Sequence, residues 1–459
     1  MSYRSLSLWH DTLPEGEPVP RVGLEGPADA DVVIVGAGYT GLWTAYYLAE
    51  KQPDLRIVVL EAEVAGFGAS GRNGGWCAGE IAGSRRRIAE RHGRGAVTAI
   101  WREMFKTVDE VGRAIEAEAI DCGFVKSGIL TFASIPAHVP RLRAQIEEER
   151  EWGFGEEDFR WLDQPEAEAR LRAQGIGGAV FTPHAAAIHP ARLARGLAEA
   201  VERHGVKLYE QTPVLLIRPG EAVTGAGTVS APVVLRCTEA FTVDMPGERR
   251  RFVPVYSLMV ATEPLSEATW DSIGLAGREV FNDARHLIIY GQRTEDGRFA
   301  FGGRGAPYHL GSTIRPEWER SPSTHQQVAA SLRALFPQIG DAAITHEWGG
   351  AVAVPRDWRP TVRFDPLTGL GTAGGYVGEG VAAANLAGRT LSDLVLGRST
   401  ELTRLPWVGH RSRRWEIEPL RWTGVNLGRI VAGAADRAEL RSGKPSKVMA
   451  GMLDTLLGR

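Results

Sequence analysis

This 459-residue chain has few cysteines, no long apolar run and little excess of either charge. Its three cysteines, Cys77, Cys122 and Cys237, form no C-x-x-C pair and no cysteine–histidine spacing suited to a metal. Neither a disulfide scaffold nor a zinc site is therefore expected. The formal net charge is −3 and both signs are well mixed, which argues against a nucleic-acid-binding surface. No apolar run reaches the roughly 20 residues that a membrane-spanning helix needs.

The first twenty residues are polar and contain several prolines, without the basic start and apolar core of a signal peptide. Together with the few cysteines, this predicts a cytoplasmic protein. Residues 1–28 are expected to form an extended arm that Trp9 and Leu13 could anchor, and a disordered tail is the alternative. The length allows two or more domains.

A glycine motif stands near the start of the chain. The apolar run Val32–Val35 predicts a buried parallel strand, and Gly36, Gly38 and Gly41 follow at G-x-G-x-x-G spacing. These glycines permit a tight turn, a close approach of phosphate to the backbone, and close packing of the helix expected over residues 40–51. The start of that helix directs free N–H groups at the phosphates.

An acidic residue completes the motif. The second apolar run, Ile57–Leu60, ends in Glu61, which lies 61 − 41 = 20 residues after Gly41. A carboxylate at this distance is expected to bind a ribose. Strand, glycine turn, helix and acid together predict a dinucleotide site, although they leave open which dinucleotide binds.

A glycine- and serine-rich loop follows over residues 66–76 and contains the sequence GASGRNGG. Here the chain resembles the FAD-dependent oxidoreductases that include D-amino-acid oxidase, glycine oxidase and sarcosine oxidase, and it is most similar to the gamma-glutamylputrescine oxidase branch. The resemblance implies FAD, with its ADP half on residues 36–61 and the loop leading towards the flavin ring. A second glycine element at residues 370–381, followed by a helical stretch, implies contact with the pyrimidine edge of the ring.

The resemblance and the motifs together give a set of expected cofactor-binding residues from four segments of the chain. They are Gly36, Gly38, Tyr39, Thr40, Gly41, Glu61, Ala69, Ser70, Arg72, Asn73, Gly74, Gly75, Trp76, Val214, Cys237, Thr238, Gly375, Val377, Gly378, Glu379, Gly380 and Val381.

The fold class expected is α/β (α+β overall), with a Rossmann-like FAD-binding domain, an inserted antiparallel-sheet substrate domain and a helical C-terminal extension. After the arm at 1–28, the expected FAD-binding segments are 29–84, 170–245 and 345–400. The substrate domain takes 85–169 and 246–344, and the extension takes 401–459. Helical periodicity over 85–120 is broken near His92-Gly93, and strands are predicted at 253–260, 286–290 and 299–304.

Substrate selection is expected from the sheet over the flavin. The candidate catalytic residues there are Arg304, Tyr256, Trp348, His309 and Tyr290. An arginine fork suits an anionic substrate end, although Arg304 could equally form a salt bridge at the sheet edge, and the aromatic residues could equally serve packing. Tyr308, next to His309, belongs with these candidates, whereas Arg356 and Arg359 are weaker ones, and His189 before Pro190 reads as a helix entry.

The activity that the resemblance implies is oxidation of an amine or amino acid. Hydride passes from the carbon–nitrogen bond to flavin N5, the imine hydrolyses, and O2 reoxidises the flavin to give H2O2. Flavin carries the redox step, so no catalytic triad is required. The alternatives are a dehydrogenase that passes electrons to a quinone or carrier protein, and a flavin-binding subunit without turnover of its own.

The last sixty residues fall outside the shared pattern and combine cations with tryptophans. The cations are Arg411, Arg413, Arg414, Arg421, Arg429, Arg437, Arg441, Lys444 and Lys447, and the tryptophans are Trp407, Trp415 and Trp422. A helical cap on the flavin domain or a homodimer contact is expected, with an interfacial amphipathic helix as the alternative.

The chain also departs from sarcosine-oxidase-like members, which hold flavin covalently through a cysteine late in the sequence, because it has no cysteine after Cys237. We predict noncovalent FAD. Denaturation in acid should release all flavin into the supernatant, as measured by absorbance after centrifugation. Flavin that stays with the precipitated protein would contradict this prediction.

Overall fold

The computed structural model describes residues 2–446, with the backbone alone at Arg304. The α-helices in this range are α1 Leu8–Asp11, α2 Tyr39–Lys51, α3 Arg85–His92, α4 Arg94–Ala117, α5 His138–Glu151, α6 Gln164–Arg170, α7 Pro190–Arg203, α8 Glu267–Ile273, α9 Pro322–Leu335, α10 Gly380–Val395 and α11 Leu420–Ser442. Short 3-10 helices lie at Tyr3–Leu6, Ala69–Gly71, Glu239–Asp244, Leu310–Ser312, Pro316–Glu319, Pro337–Ile339 and Leu402–Arg404.

The strands are β1 Ala28–Asp29, β2 Val32–Val35, β3 Ile57–Leu60, β4 Trp76–Ala78, β5 Ile129–Phe132, β6 Arg160–Leu162, β7 Ala179–Thr182, β8 Ala185–Ala187, β9 Lys207–Tyr209, β10 Val214–Arg218, β11 Glu221–Thr224, β12 Thr228–Ser230, β13 Val233–Arg236, β14 Val253–Thr262, β15 Val280–Asp283, β16 Ile289–Arg293, β17 Phe299–Arg304, β18 Ile344–Val354, β19 Thr361–Asp365 and β20 Leu370–Gly374.

A six-stranded sheet in the order β19-β20-β13-β2-β3-β9 forms the first part of the structure, and it is parallel except at the β19–β20 edge. Alternate residues of its strands point to opposite faces, and each face is covered by another layer. Val32 and Ile34 pack towards the layer that contains α2, α4, α7 and α10, whereas Val33 and Val35 pack towards the small sheet β1-β12-β11-β10. This three-layer arrangement confirms the predicted Rossmann-like architecture.

An eight-stranded sheet forms the second part, in the order β18-β14-β17-β16-β15-β5-β7-β6. It is antiparallel apart from the β15–β5 pair. Phenylalanines and other apolar side chains pack between this sheet and α8 and α9 in a second core, which includes Phe281, Phe299 and Phe336.

Two strands join a different sheet from the one that the expected domain boundaries imply. Strands β7 and β18 fall in segments assigned to the FAD-binding part, yet both pair in the eight-stranded sheet. The break at Gly93 between α3 and α4 agrees with the sequence, but the long helix α4 packs on α10 of the first part rather than on a separate layer. Local patterns predicted these elements, whereas pairing over long sequence separation decided their sheets.

The arm and the strand predicted at residues 286–290 also differ from expectation. The arm begins with two short helices and continues over residues 13–27 without helix or strand, and its predicted anchor Trp9 is 2% exposed with its indole N–H donating to the Asn73 carbonyl at 2.8 Å. The strand begins only at Ile289, because the N–H groups of His286 and Leu287 donate to the Asp436 carboxylate of α11.

Of the extension expected to cap the flavin domain, Leu405 and Trp407 are buried in the core of the first part, whereas the C-terminal helix α11 packs on the side of the eight-stranded sheet. Asn426 bonds to both backbone groups of Tyr308, and Arg141 forks onto Glu439. Lys447 and the rest of the predicted extension lie outside the described residues. Across the described range, the structure contains no helix with the length and apolar character needed to traverse a lipid bilayer.

Helices α2 and α10 approach closely at Gly388, where an added Cβ would lie 2.8 Å from the carbonyl carbon of Trp43. We predict that Gly388→Ala lowers the free energy of unfolding by about 1–3 kcal/mol, because backbone on both sides cannot give way. Urea unfolding followed by circular dichroism measures this. The control Gly424→Ala, on α11 with no atom within 4 Å, should be neutral or stabilising by up to about 1 kcal/mol. Equal loss in both variants would refute the packing argument.

Candidate cofactor and active site

A cavity of about 500 Å³ runs along the carboxyl ends of β2, β3 and β13. Ligands of open α/β sheets bind at this edge of the strands. Fourteen of the expected cofactor residues line the cavity: Gly36, Gly38, Tyr39, Thr40, Glu61, Ala69, Ser70, Asn73, Val214, Cys237, Thr238, Gly378, Gly380 and Val381. The sequence motifs, although far apart in the chain, thus meet around one cavity.

The glycine turn provides the backbone surface at one end. Gly36 has φ +103°, and a Cβ there would lie 2.7 Å from the Cys237 carbonyl oxygen. A Cβ at Gly41 would lie 1.9 Å from the Gly36 carbonyl oxygen, so only glycine allows α2 to begin this close to the turn. The first N–H groups of a helix have no intrahelical partners, and here Tyr39 and Thr40 line the cavity, with the Tyr39 N–H donating to Ser70 Oγ at 2.9 Å. This surface fits a pyrophosphate.

Glu61 is held by two backbone N–H groups. One carboxylate oxygen accepts from Ala37 at 2.7 Å and the other from Glu63 at 3.1 Å. Burial raises the pKa of Glu61 to about 7, and these N–H groups act in the opposite direction. Glu61 lines the same cavity as the start of α2, which fits the role of a ribose acceptor.

The second glycine turn, for which the resemblance implies contact with the pyrimidine edge of the ring, closes the other end of the cavity. Two of its N–H groups, those of Gly375 and Tyr376, donate to the carboxylate of Glu239, at 2.8 and 3.3 Å. The Tyr376 hydroxyl also lies 3.0 Å from Thr40 Oγ1, which ties the two glycine elements together.

Glu239 is the main cavity residue that sequence reasoning missed. It follows Thr238 in a short 3-10 helix with φ +42°, and burial raises its pKa to about 7. Phe67, Phe241, Ala351 and Val352 also line the cavity. The adjacency of Glu239 to Thr238 was a usable signal, but nothing local marked Ala351 and Val352, because strand β18 reaches the cavity only through tertiary packing.

Eight expected cofactor residues do not line the cavity as described, and several of these support the loop instead. They are Gly41, Arg72, Gly74, Gly75, Trp76, Gly375, Val377 and Glu379. The side chain of Arg72 is 1% exposed, pairs with Glu319 at 2.5 Å, and donates through Nε to the Phe67 carbonyl at 2.6 Å. Arg72 therefore fixes the loop against the eight-stranded sheet.

None of the five candidate catalytic residues lines the cavity in the described structure. Trp348 is buried and donates to the Arg72 carbonyl at 2.9 Å, so it supports the loop from behind. Tyr290 lies against Gly74 and Trp76, with its hydroxyl 2.7 Å from Ser257 Oγ. The backbone of Arg304 pairs with Ser257, and its side chain lies outside the described part.

The two remaining candidates, Tyr256 and His309, belong to an aromatic group completed by Trp318. His309 stacks on Trp318 at 3.7 Å, and both rings meet Tyr256 edge-on. Burial lowers the pKa of His309, so its ring is neutral at neutral pH. Tyr256 packs in one apolar cluster with Ala240 and Ala351, which themselves line the cavity. Trp318 was not predicted.

Tyr308 and the two weaker candidates have structural partners. Arg356 pairs with Glu416 at 2.9 Å, Arg359 donates to the Pro406 carbonyl at 3.2 Å, and the Tyr308 hydroxyl donates to Glu418 at 2.8 Å. His189 caps α7 by accepting the Arg192 N–H, as expected for a helix entry. Cys77 is fully buried and burial raises the pKa of its thiol, which removes the reactive thiolate.

The buried parallel sheet, the glycine turn, Glu61 and the second glycine turn define a dinucleotide-binding oxidoreductase. The model of the DAO family, FAD dependent oxidoreductase, matches residues 31–394. The chain belongs to this family, and its cofactor is FAD.

Similar proteins agree along most of the chain. Gamma-glutamylputrescine oxidoreductase of Escherichia coli is 30% identical over 398 residues, covering 84% of this chain and 89% of that protein. A probable oxidoreductase OrdL of Rhizobium meliloti is 31% identical over 408 residues, covering 86% and 90%. The crystal structure of glycine oxidase from Geobacillus kaustophilus superimposes with a TM-score of 0.66 at 22% identity, over 83% of this chain and 99% of that one. This last similarity establishes the fold.

We predict that Glu61→Gln weakens FAD retention about 10- to 100-fold, because an amide offers one acceptor to two N–H groups and leaves one unsatisfied. Equilibrium dialysis of the reconstituted protein measures this. Because the pKa of Glu61 is about 7 without ligand, the wild-type affinity should rise between roughly pH 6 and 8 as the acceptor ionises, and the variant should lose this rise. Glu50→Gln, on the exposed face of α2, is the matched control. Unchanged retention in Glu61→Gln would overturn the assignment.

Proposed function

We propose that this protein is an FAD-dependent oxidase of an amine or amino acid, in which O2 reoxidises the flavin and yields H2O2. The observation that carries the proposal is the single cavity that both glycine turns and Glu61 enclose, beside the wall that the eight-stranded sheet provides. The names of the relatives support the substrate class, since one acts on gamma-glutamylputrescine and another, glycine oxidase, is 25% identical over 394 residues.

The residues lining the cavity suit the two halves of FAD. We infer that the start of α2 holds the pyrophosphate, Glu61 the ribose, and Val214 the adenine. The turn between β20 and α10 then borders the ring. Bound FAD supplies the electron acceptor for the carbon–nitrogen bond. Phosphate charge would be balanced by the helix dipole and N–H groups, because no lysine, arginine or histidine appears among the described residues lining the cavity.

Strand β18 and the aromatic group provide the proposed substrate wall. A Cβ at Gly350 would lie 3.6 Å from Arg72 Cβ and 4.0 Å from Ala69 Cα, so β18 crosses directly over the flavin loop. Tyr256 pairs with Ala351 of this strand, and the rings of His309 and Trp318 pack against Tyr256. Amine oxidation needs an unprotonated nitrogen, and His309 is the basic side chain of this aromatic group.

A dehydrogenase is the second candidate, and one observation favours it. The outward face of α11 exposes Trp422 and Leu427, a surface on which a carrier protein could dock. L-proline dehydrogenase from P. horikoshii has the same fold, with a TM-score of 0.65 at 19% identity over 83% of this chain and 98% of that one. A homodimer contact through α11 and a location in the cytoplasm also remain our proposals. The latter agrees with three free, buried cysteines.

The holoprotein should lose the visible absorbance of oxidised flavin when it is mixed anaerobically with its substrate. The compounds to screen are primary amines, N-methyl amino acids and gamma-glutamyl amines. We expect at least one of them to bleach the flavin, and air to restore the colour with formation of H2O2, measured by a peroxidase-coupled assay.

The other outcomes separate the alternatives. Bleaching that a quinone reverses but air does not would identify a dehydrogenase. Failure of every compound to bleach an intact, yellow holoprotein would favour a noncatalytic flavoprotein subunit over both enzymes.

A further inference from the structure

A second cavity of about 410 Å³ lies on the reverse face of the eight-stranded sheet. On the front face, Tyr290 packs against the flavin loop at Gly74. Neighbouring residues of a strand point to opposite sides, and Ile289 accordingly lines the second cavity, together with Gly303 of β17. The two cavities share no lining residue, so the second is separate from the cofactor site.

Helix α11 forms the roof of this cavity and is fixed at two points. Asn426 accepts the Tyr308 N–H at 3.2 Å and donates to its carbonyl at 3.0 Å. Further along the same helix, the Asp436 carboxylate accepts hydrogen bonds from the N–H groups of His286 and Leu287 at 2.7 and 3.0 Å. The helix therefore bridges the sheet between two fixed ends, with α9 forming one side wall and Ser134 and His138 the other.

The charges at the cavity are predominantly positive. Arg285, Arg429 and Arg437 line it, and Asp436 is its one acidic lining residue among those described. Both oxygens of Asp436 are already used by backbone N–H groups. Arg285 is balanced by Asp283 at 2.6 Å, whereas Arg429 donates to the Gly305 carbonyl at 3.2 Å and forms no ion pair within the described range.

Arg437 is the second uncompensated cation. Its Nη1 would lie 3.5 Å from a Cβ at Gly433, which places the guanidinium over the small residue that faces the cavity. It has no carboxylate partner in the part of the chain that the structure describes. Two guanidinium groups of one helix therefore line the same opening, and neither forms an ion pair within the described residues.

The nearby cluster of His286, Asp436 and Glu439 does not offer a metal site. Its ligand atoms lie within 4.8 Å of one another, but the Arg141 guanidinium donates to both oxygens of Glu439 at 2.7 and 2.8 Å. Arg141 already occupies the position of the cation. The cluster fixes the end of α11, and the remaining positive charge belongs to the cavity.

The rest of the lining is apolar or neutral. Ile289, Val328 and Leu287 form an apolar floor, and Ile430 and Leu440 lie at the rim. Neutral polar side chains complete the wall, namely Ser134, Thr324, Gln327 and Ser331. A ligand that matches this surface carries a charge of negative sign at one end and a short apolar body.

We propose that this cavity binds a small organic anion, a carboxylate or phosphate ester, whose charged end meets Arg429 and Arg437 and whose apolar body packs on Ile289 and Val328. Guanidinium groups hold oxyanions through paired hydrogen bonds, and the apolar contacts add affinity without further charge. This site is independent of the proposed oxidase activity.

Isothermal titration calorimetry of the FAD-loaded protein tests the proposal with hexanoate, hexyl phosphate and the neutral control hexanol. We expect one or both anions to bind with a Kd of about 0.1–1 mM, in the range for ligands of this size, and hexanol to bind at least tenfold more weakly. Preference between the two anions identifies the charged group.

Variants locate the binding. Arg429→Gln and Arg437→Gln should each weaken anion binding about tenfold. Arg441→Gln, on the same helix but outside the cavity lining, should leave it unchanged. Because Arg429 also contacts Gly305, Ser331→Phe provides a second route by filling the cavity, and it should abolish binding while the protein keeps its flavin. Equal binding of hexanol, no binding of either anion, or full binding by Ser331→Phe would each overturn the proposal.

Discussion

Close backbone approach at the glycine turn is the constraint on which the rest of the structure depends. The carbonyl oxygen of Gly36 occupies the space where any other residue at position 41 would place its Cβ. This contact sets α2 against β2, and thereby directs the helix start at the cavity. Glu61 then stabilises the same turn by accepting the Ala37 N–H. One steric requirement and one carboxylate thus create the cofactor end of the site.

The flavin loop depends on contacts from outside the Rossmann-like layers. Trp9 of the arm donates to the Asn73 carbonyl, and Trp348 of β18 donates to that of Arg72. The two indoles also meet edge-on at 6.2 Å. Arg72 in turn pairs with Glu319 near the end of the segment between β17 and α9. Arm, loop and eight-stranded sheet are therefore coupled, and the sheet that faces the substrate region is also what holds the loop.

Two buried carboxylic acids beside the cavity give the site its electrostatic character. Glu61 and Glu239 both have a pKa raised to about 7 by burial, although each accepts two backbone N–H bonds. Glu239 joins β13 to the second glycine element, since it follows that strand and accepts from the turn after β20. The desolvation cost of ionising either group is high, so their protonation responds to whatever occupies the cavity.

The sequence by itself determined the local chemistry: the glycines of both turns, Glu61, the break at Gly93 and most strands and helices. Such features depend on φ angles, Cβ clashes and side-chain periodicity within a few residues, and these are legible in the chain. Tertiary structure alone decided that β7 and β18 join the eight-stranded sheet, that Trp348 supports the loop, and that Glu239 takes the N–H groups of Gly375 and Tyr376. It also placed α11 over the reverse face of that sheet. These outcomes depend on contacts between different elements of the chain, from neighbours such as β6 and β7 to residues as far apart as Arg72 and Trp348, for which no local pattern carries a signal.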